Sequence, residues 1–210
     1  TAVGATALAA VVTPGASRAF WTGMLWHTQR VGSLSYVSNQ SLMGLVARLD
    51  PVRPDRLGWG AAVVLVLGVW VYRGHRAAVA GDAETGFALA GTVACLVSPV
   101  TWVHHLVWLI PALVRLADGG LRADPGRRLA PLAAAIVAYT VLSSSVVWLW
   151  SQGPDALTHP AGVAGFLGGN AYVWVCLALL CGLPVRGQAA DPPSPMWTAG
   201  GRAALVRHFT

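Results

Sequence analysis

Apolar residues run in blocks along this chain, and the polar ones gather between the blocks. Runs at 57–72, 85–98, 105–117, 129–150 and 171–185 predict membrane helices. Trp59 and Trp70 near the ends of the first, and Trp148 and Trp150 at one end of the fourth, suit interface anchors. The run at 129–150 is the longest clean one. Those at 85–98 and 105–117 are short, so a re-entrant hairpin is an alternative there. Residues 1–12 read as the end of a further span. The stretch 13–56 contains no span. In it Thr13-Pro14 marks a helix start, with Thr as N-cap and Pro in the first turn. Phe20, Trp21, Met24 and Leu25 then share one face, as in a helix lying in the interface plane; packing on other protein is the alternative. Residues 42–49 have helical spacing that Asp50-Pro51 closes. The stretch 151–170 reads as a loop of small residues, and the Pro-rich tail 186–210 as a disordered cytoplasmic segment.

Composition strengthens the membrane reading. Of 210 residues, 55% are hydrophobic and 10% charged, with a mean hydropathy of +0.59, where a soluble domain carries about 25% charged residues. The expected fold class is all-α, a multi-spanning membrane protein. The chain opens with Thr1 inside an apolar run that lacks the pattern of a signal peptide, which reads as the C-terminal part of a longer protein. Cys95, Cys176 and Cys181 lie scattered in apolar segments and imply neither a disulfide frame nor a metal site.

The formal charge of +6 comes from arginines alone on the basic side. Their positions fit bilayer orientation better than nucleic-acid binding. Loops at 73–84, 115–128 and 186–210 alternate onto one side and are Arg-rich; the turn at 98–105 and the loop at 151–170 hold no Arg. The first side is therefore expected to be cytoplasmic. The segment 13–56 then lies outside, yet it carries Arg18, Arg30, Arg48, Arg53 and Arg56. Arginines against the trend fit an anion such as a lipid phosphate. Asp–Arg pairs internal to the segment are the plainer explanation.

Candidate chemistry gathers in one place. Ser98, Pro99, Trp102, His104 and His105 interrupt the apolar region, and polar groups at membrane depth are tolerated where protein or a water-filled cavity satisfies them. Adjacent histidines on a helix point about 100° apart. One is expected to line a cavity and the other to satisfy a backbone carbonyl or a neighbouring helix. No Asp or Glu lies inside a predicted span, so a carboxylate relay in the membrane is excluded. A copper or haem subunit would need further ligating histidines than His27, His75, His159 and His208 supply on the right side. A transporter or lipid flippase gated by the broken hairpin remains the alternative function.

Ser98-Pro99-Val100-Thr101-Trp102-Val103-His104-His105-Leu106-Val107-Trp108 resembles the S-P-x-[ST]-W-x-H-H-x-x-W signature of glycosyltransferase family 87. Arg30-Val31-Gly32-Ser33-Leu34-Ser35-Tyr36-Val37-Ser38-Asn39-Gln40-Ser41-Leu42 is similar to the family's second recurrent stretch. The resemblance implies a GT-C-like helical bundle with an extracytoplasmic cavity in the plasma membrane. It implies inverting transfer of mannose from polyprenyl-phosphate mannose to a glycolipid or lipoglycan acceptor, with no cofactor or metal needed. It also implies that the catalytic Asp lies upstream of Thr1, so that these residues alone are inactive. His104 and His105 are then the candidates for stabilising the leaving phosphate, with Arg30 assisting. Tyr36, Asn39, Gln40, Ser41 and Ser98 are expected to bind substrate or fix the loop, and Trp102 to stack on a sugar or prenyl chain.

Overall fold

The computed structural model describes residues 2–24, 32–150 and 162–186, and every regular element there is helical. In order these are α1 (Ala2–Val12), α2 (Pro14–Thr22), α3 (Leu42–Leu49), α4 (Arg56–Val79) and α5 (Ala83–Val97). A 3₁₀ helix (Val103–Leu109) leads into α6 (Ile110–Arg122) and α7 (Leu129–Ser143). A 3₁₀ turn (Val146–Trp148), α8 (Gly162–Gly169) and α9 (Ala171–Gly182) complete the order.

Helix α5 is the element the others pack around: α4, α6 and α9 all lie against it. Leu89, Val93 and Leu96 of α5 are buried with Leu109, Ala112 and Leu116 on the following hairpin arm and Val173, Cys176 and Leu180 of α9. Gly91 makes the close approach possible, because a Cβ there would lie 2.7 Å from the Trp108 carbonyl oxygen. Helices α1 and α2 bury no residue, and Phe20 and Trp21 remain exposed. Pro14 opens α2 as expected, but the Thr13 hydroxyl donates back to Ala9 O at 3.1 Å instead of capping.

Caps and breakers set the boundaries. The Asp55 carboxylate accepts from Leu57 N and Gly58 N at the start of α4, and Asp82 accepts from Thr85 N at the start of α5. Pro99 biases Ser98 out of helical geometry, and α5 stops at Val97. Among the described residues, α4 is the one helix long and apolar enough to cross a bilayer alone. The α8–α9 pair, bent by 58°, makes a second if counted as one span. The remaining expected spans are shorter than the roughly 20 residues a crossing needs.

Two expectations are corrected by these breaks. The run 129–150 is not continuous: α7 ends at Ser143, and Ser145 takes a left-handed conformation with φ 55°. The run 105–117 begins as 3₁₀ helix and becomes α-helical only at Ile110. Part of the expected loop 151–170 is helical, since α8 occupies Gly162–Gly169. Arg186, the first residue of the expected disordered tail, is held by Asp82 and Asp118; 187–210 lie outside the described residues.

Candidate functional site

The two polar stretches, some sixty residues apart in sequence, meet edge to edge. Asn39 and Trp102 form an isolated antiparallel bridge. Gln40 N donates to Thr101 O at 2.7 Å, and Thr101 N donates to Asn39 Oδ1 at 2.9 Å. Asn39 Nδ2 donates to Leu34 O at 2.9 Å and to Pro99 O at 3.2 Å. The Ser41 hydroxyl donates to Asn39 Oδ1 and Pro99 O and accepts from Gly44 N, which caps α3. Gly44 has to be glycine for this packing, since a Cβ there would run into Asn39 O.

Asn39, Gln40 and Ser41 are fully buried. Gln40 Nε2 donates to Val37 O at 2.6 Å and Gly169 O at 2.8 Å, while its Oε1 has no partner among the described residues. Almost all the hydrogen-bonding capacity of the triplet is thus spent on the chain itself. The geometry supports loop fixing over direct sugar contact for these three residues. Ser98 is half-buried and turns its hydroxyl to Val100 O at 2.8 Å.

Above this knot sits an aromatic and imidazole ledge. Tyr36 stacks edge-on between Trp102 and Trp148, with ring centroids 6.0 and 5.9 Å away. His104 and His105 are both exposed, their rings 4.3 Å apart and 73° to one another. The Trp102 N–H donates to His105 Nδ1 at 3.2 Å. A backbone N–H can only donate, so the neutral imidazole of His105 must carry its proton on Nε2 and present it outward. His105 therefore satisfies an N–H rather than the carbonyl expected for it. His104 lines a cleft of about 370 Å³ with Val107, Ile110, Tyr139, Ser143 and Trp148 among its walls. Arg30 lies outside the described residues.

Sequence reasoning did not single out the residue at the centre of the knot. Arg48 is 2% exposed. Its Nε and one terminal nitrogen donate to Asn170 Oδ1 at 3.0 and 2.5 Å, and the other donates to Tyr36 O at 3.1 Å and Asn39 O at 3.0 Å. Asn170 in turn donates to Phe166 O at 2.8 Å. Burial pushes the Arg48 guanidinium down to about 9, still well above neutral pH. The nearest acids in sequence are exposed and spent locally: Asp50 accepts from Val52 N and Arg53 N in the turn after α3, and Asp55 caps α4. Among the described residues no Asp–Arg pair forms within 32–56, so the plainer explanation for these arginines finds no support there.

Residues 1–99 match the model of glycosyltransferase family 87, a match that ends five residues before His104. The chain is 30% identical over 195 residues to a polyprenol-phosphate-mannose-dependent alpha-(1-2)-phosphatidylinositol mannoside mannosyltransferase of Mycobacterium tuberculosis, covering 86% of this chain and 41% of the relative. It is 31% identical over 173 residues to the protein of that description in Mycolicibacterium smegmatis, covering 77% and 37%. A Mycobacterium tuberculosis phosphatidylinositol pentamannoside mannosyltransferase is 30% identical over 116 residues, covering 54% of this chain and 26% of its own. The chain thus spans about two fifths of the length of the first of these curated relatives. No solved structure matches it. The match over residues 1–99 and these relatives together place the chain in glycosyltransferase family 87.

Proposed function

We propose that this chain forms the lipid-phosphate side of a multi-pass GT-C mannosyltransferase site on the outer face of the plasma membrane. The observation that carries the proposal is the bridge between Asn39 and Trp102, which sets the imidazole ledge on the knot of the earlier polar stretch. The relatives described as polyprenol-phosphate-mannose-dependent supply the donor class, and their phosphatidylinositol mannosides the glycolipid class of acceptor.

The reaction is inverting transfer. An acceptor hydroxyl oxygen attacks the anomeric carbon of mannose, and the bond from that carbon to the phosphate oxygen breaks with its electron pair left on the phosphate. The hydroxyl proton goes to a general base as the new bond forms. Charge grows on the phosphate as the bond breaks, so donors aimed at it act mainly in the transition state. His105 Nε2–H is fixed as such a donor by the Trp102 N–H, and His104 faces the cleft beside it. Val107 and Ile110 continue along the cleft wall from His104 and suit the prenyl chain. Tyr36 and Trp102 offer faces for a sugar ring, and Arg30 assists at the phosphate.

Replacing His104 and His105 separately by Ala in membranes carrying the full chain tests this. Loss of one donor to a developing oxyanion lowers kcat by about 10²–10³-fold. Normal mannosyl transfer by both variants at equal expression would remove the site assignment.

A further inference from the structure

Arg48 has the burial of a structural ion but not the partners of one. It is 2% exposed, and among the described residues each of its partners is neutral: the Asn170 amide and the carbonyls of Tyr36 and Asn39. The same chain has another arginine of similar burial, Arg115, which meets Asp82 through two contacts of 2.9–3.0 Å. A neutral clamp holds a guanidinium in place without cancelling its charge. In a water-poor setting that charge acts over a longer range than in bulk solvent.

The clamp is also wired to the ledge. Arg48 fixes Tyr36 O and Asn39 O; the Tyr36 ring packs on Trp102, and Asn39 holds Thr101 N and bridges Trp102. Trp102 N then sets His105. A buried cation thus stands behind the surface that the imidazoles present.

We infer that Arg48 is a positioning residue whose uncancelled charge makes the Trp102–His105 ledge selective for a monoanionic or dianionic lipid phosphate over the uncharged lipid alcohol. This deepens the function proposed above and rests on its placing a polyprenyl phosphate at the ledge. Asn170 is the second half of the device: as an amide it orients the guanidinium, where a carboxylate would neutralise it.

The test compares binding of a polyprenyl monophosphate and of the matching polyprenol to the full chain in detergent. Asn170→Asp keeps the shape of the clamp, trades its bond to Phe166 O for a carboxylate on Arg48, and cancels the charge in place. The variant is expected to stay folded, to bind the phosphate about tenfold more weakly, and to bind the polyprenol as the parent does. A purely structural Arg48 would leave phosphate binding untouched in a folded Asn170→Asp protein, and that result would overturn the inference. Should Asn170→Asp not fold, Arg48→Lys and Arg48→Met decide: phosphate binding kept by Lys and weakened about tenfold by Met supports the inference, and equal binding by the two overturns it. Mannosyl transfer is measured beside binding. Charge-selective binding without transfer would count against the enzyme reading alone, and transfer with unselective binding against this inference alone.

Discussion

Arg48 and Arg115 are buried to a similar degree at two ends of the helical core, and their surroundings are opposite in kind. Arg115 donates to both Asp82 oxygens, to Glu84 Oε2 at 3.0 Å and to Thr85 Oγ1 at 3.1 Å. Arg186 closes that end, its N–H on Asp82 at 2.8 Å and its guanidinium on Asp118 at 2.5 Å. Charge there is cancelled locally, and the cluster ties the start of α5 to α6 and to the end of α9. At the other end, among the described residues, Arg48 has only dipoles around it. The difference separates an ion pair that holds helices together from a cation kept available. A buried charge is costly unless something compensates it. Among the described residues Arg48 is such a charge with no acid beside it, next to the polar stretches that carry the family likeness, which points to use rather than to stability.

The comparison can be broken most severely at Arg115. Arg115→Ala leaves the Asp82 carboxylate buried without its main cation and is expected to cost about 3–5 kcal/mol, read as a large fall in thermal midpoint in detergent. An unchanged midpoint would mean that the cluster is not structural. Asn39→Ala leaves the buried Thr101 N–H without its acceptor and is expected to cost about 1–3 kcal/mol, with mannosyl transfer falling further than the midpoint alone explains.

Acid provides a gentler probe. Burial alone would raise the Asp82 carboxyl, but the Arg186 N–H, Thr85 and the Arg115 charge outweigh it and hold the group below its ordinary 3.8. The folded state therefore binds this proton less readily than the unfolded chain. The contribution of Asp82 is complete above pH 3.8 and is lost as pH falls below that value through the folded one. An Asp82→Asn variant should show a flatter loss of stability over the same acid range. Smallest of all is Arg122→Ala. Its contact with Asp118 at 2.6 Å is exposed on the Arg122 side, and no measurable change in midpoint is expected.

Local chemistry was the legible part of the sequence. Asp50-Pro51 marks the end of α3, Thr13-Pro14 the start of α2, and Ser98-Pro99 the break after α5, because each acts within a turn of itself. The residues Gly162–Gly169 read as loop because glycine disfavours helix, yet they form α8, whose Gly165, Gly168 and Gly169 are buried. The break at Ser144 and Ser145 was hidden inside an apolar run. Arg48 and Asn170 stand 122 positions apart, and no periodicity connects them. That pairing is a product of packing, and in the sequence Arg48 is one arginine among several on an unexpected side.

In the proposed site the earlier polar stretch and the imidazole ledge share one outward-facing surface. Cysteine accessibility addresses this directly. In a full chain with Cys95, Cys176 and Cys181 replaced by Ala, Tyr36→Cys and His104→Cys are exposed singly to a membrane-impermeant thiol reagent on intact cells. Both are expected to be labelled from outside, and polyprenyl phosphate is expected to slow labelling of each. Labelling of the two positions from opposite sides of the membrane, or of either from the cytoplasmic side only, would contradict it.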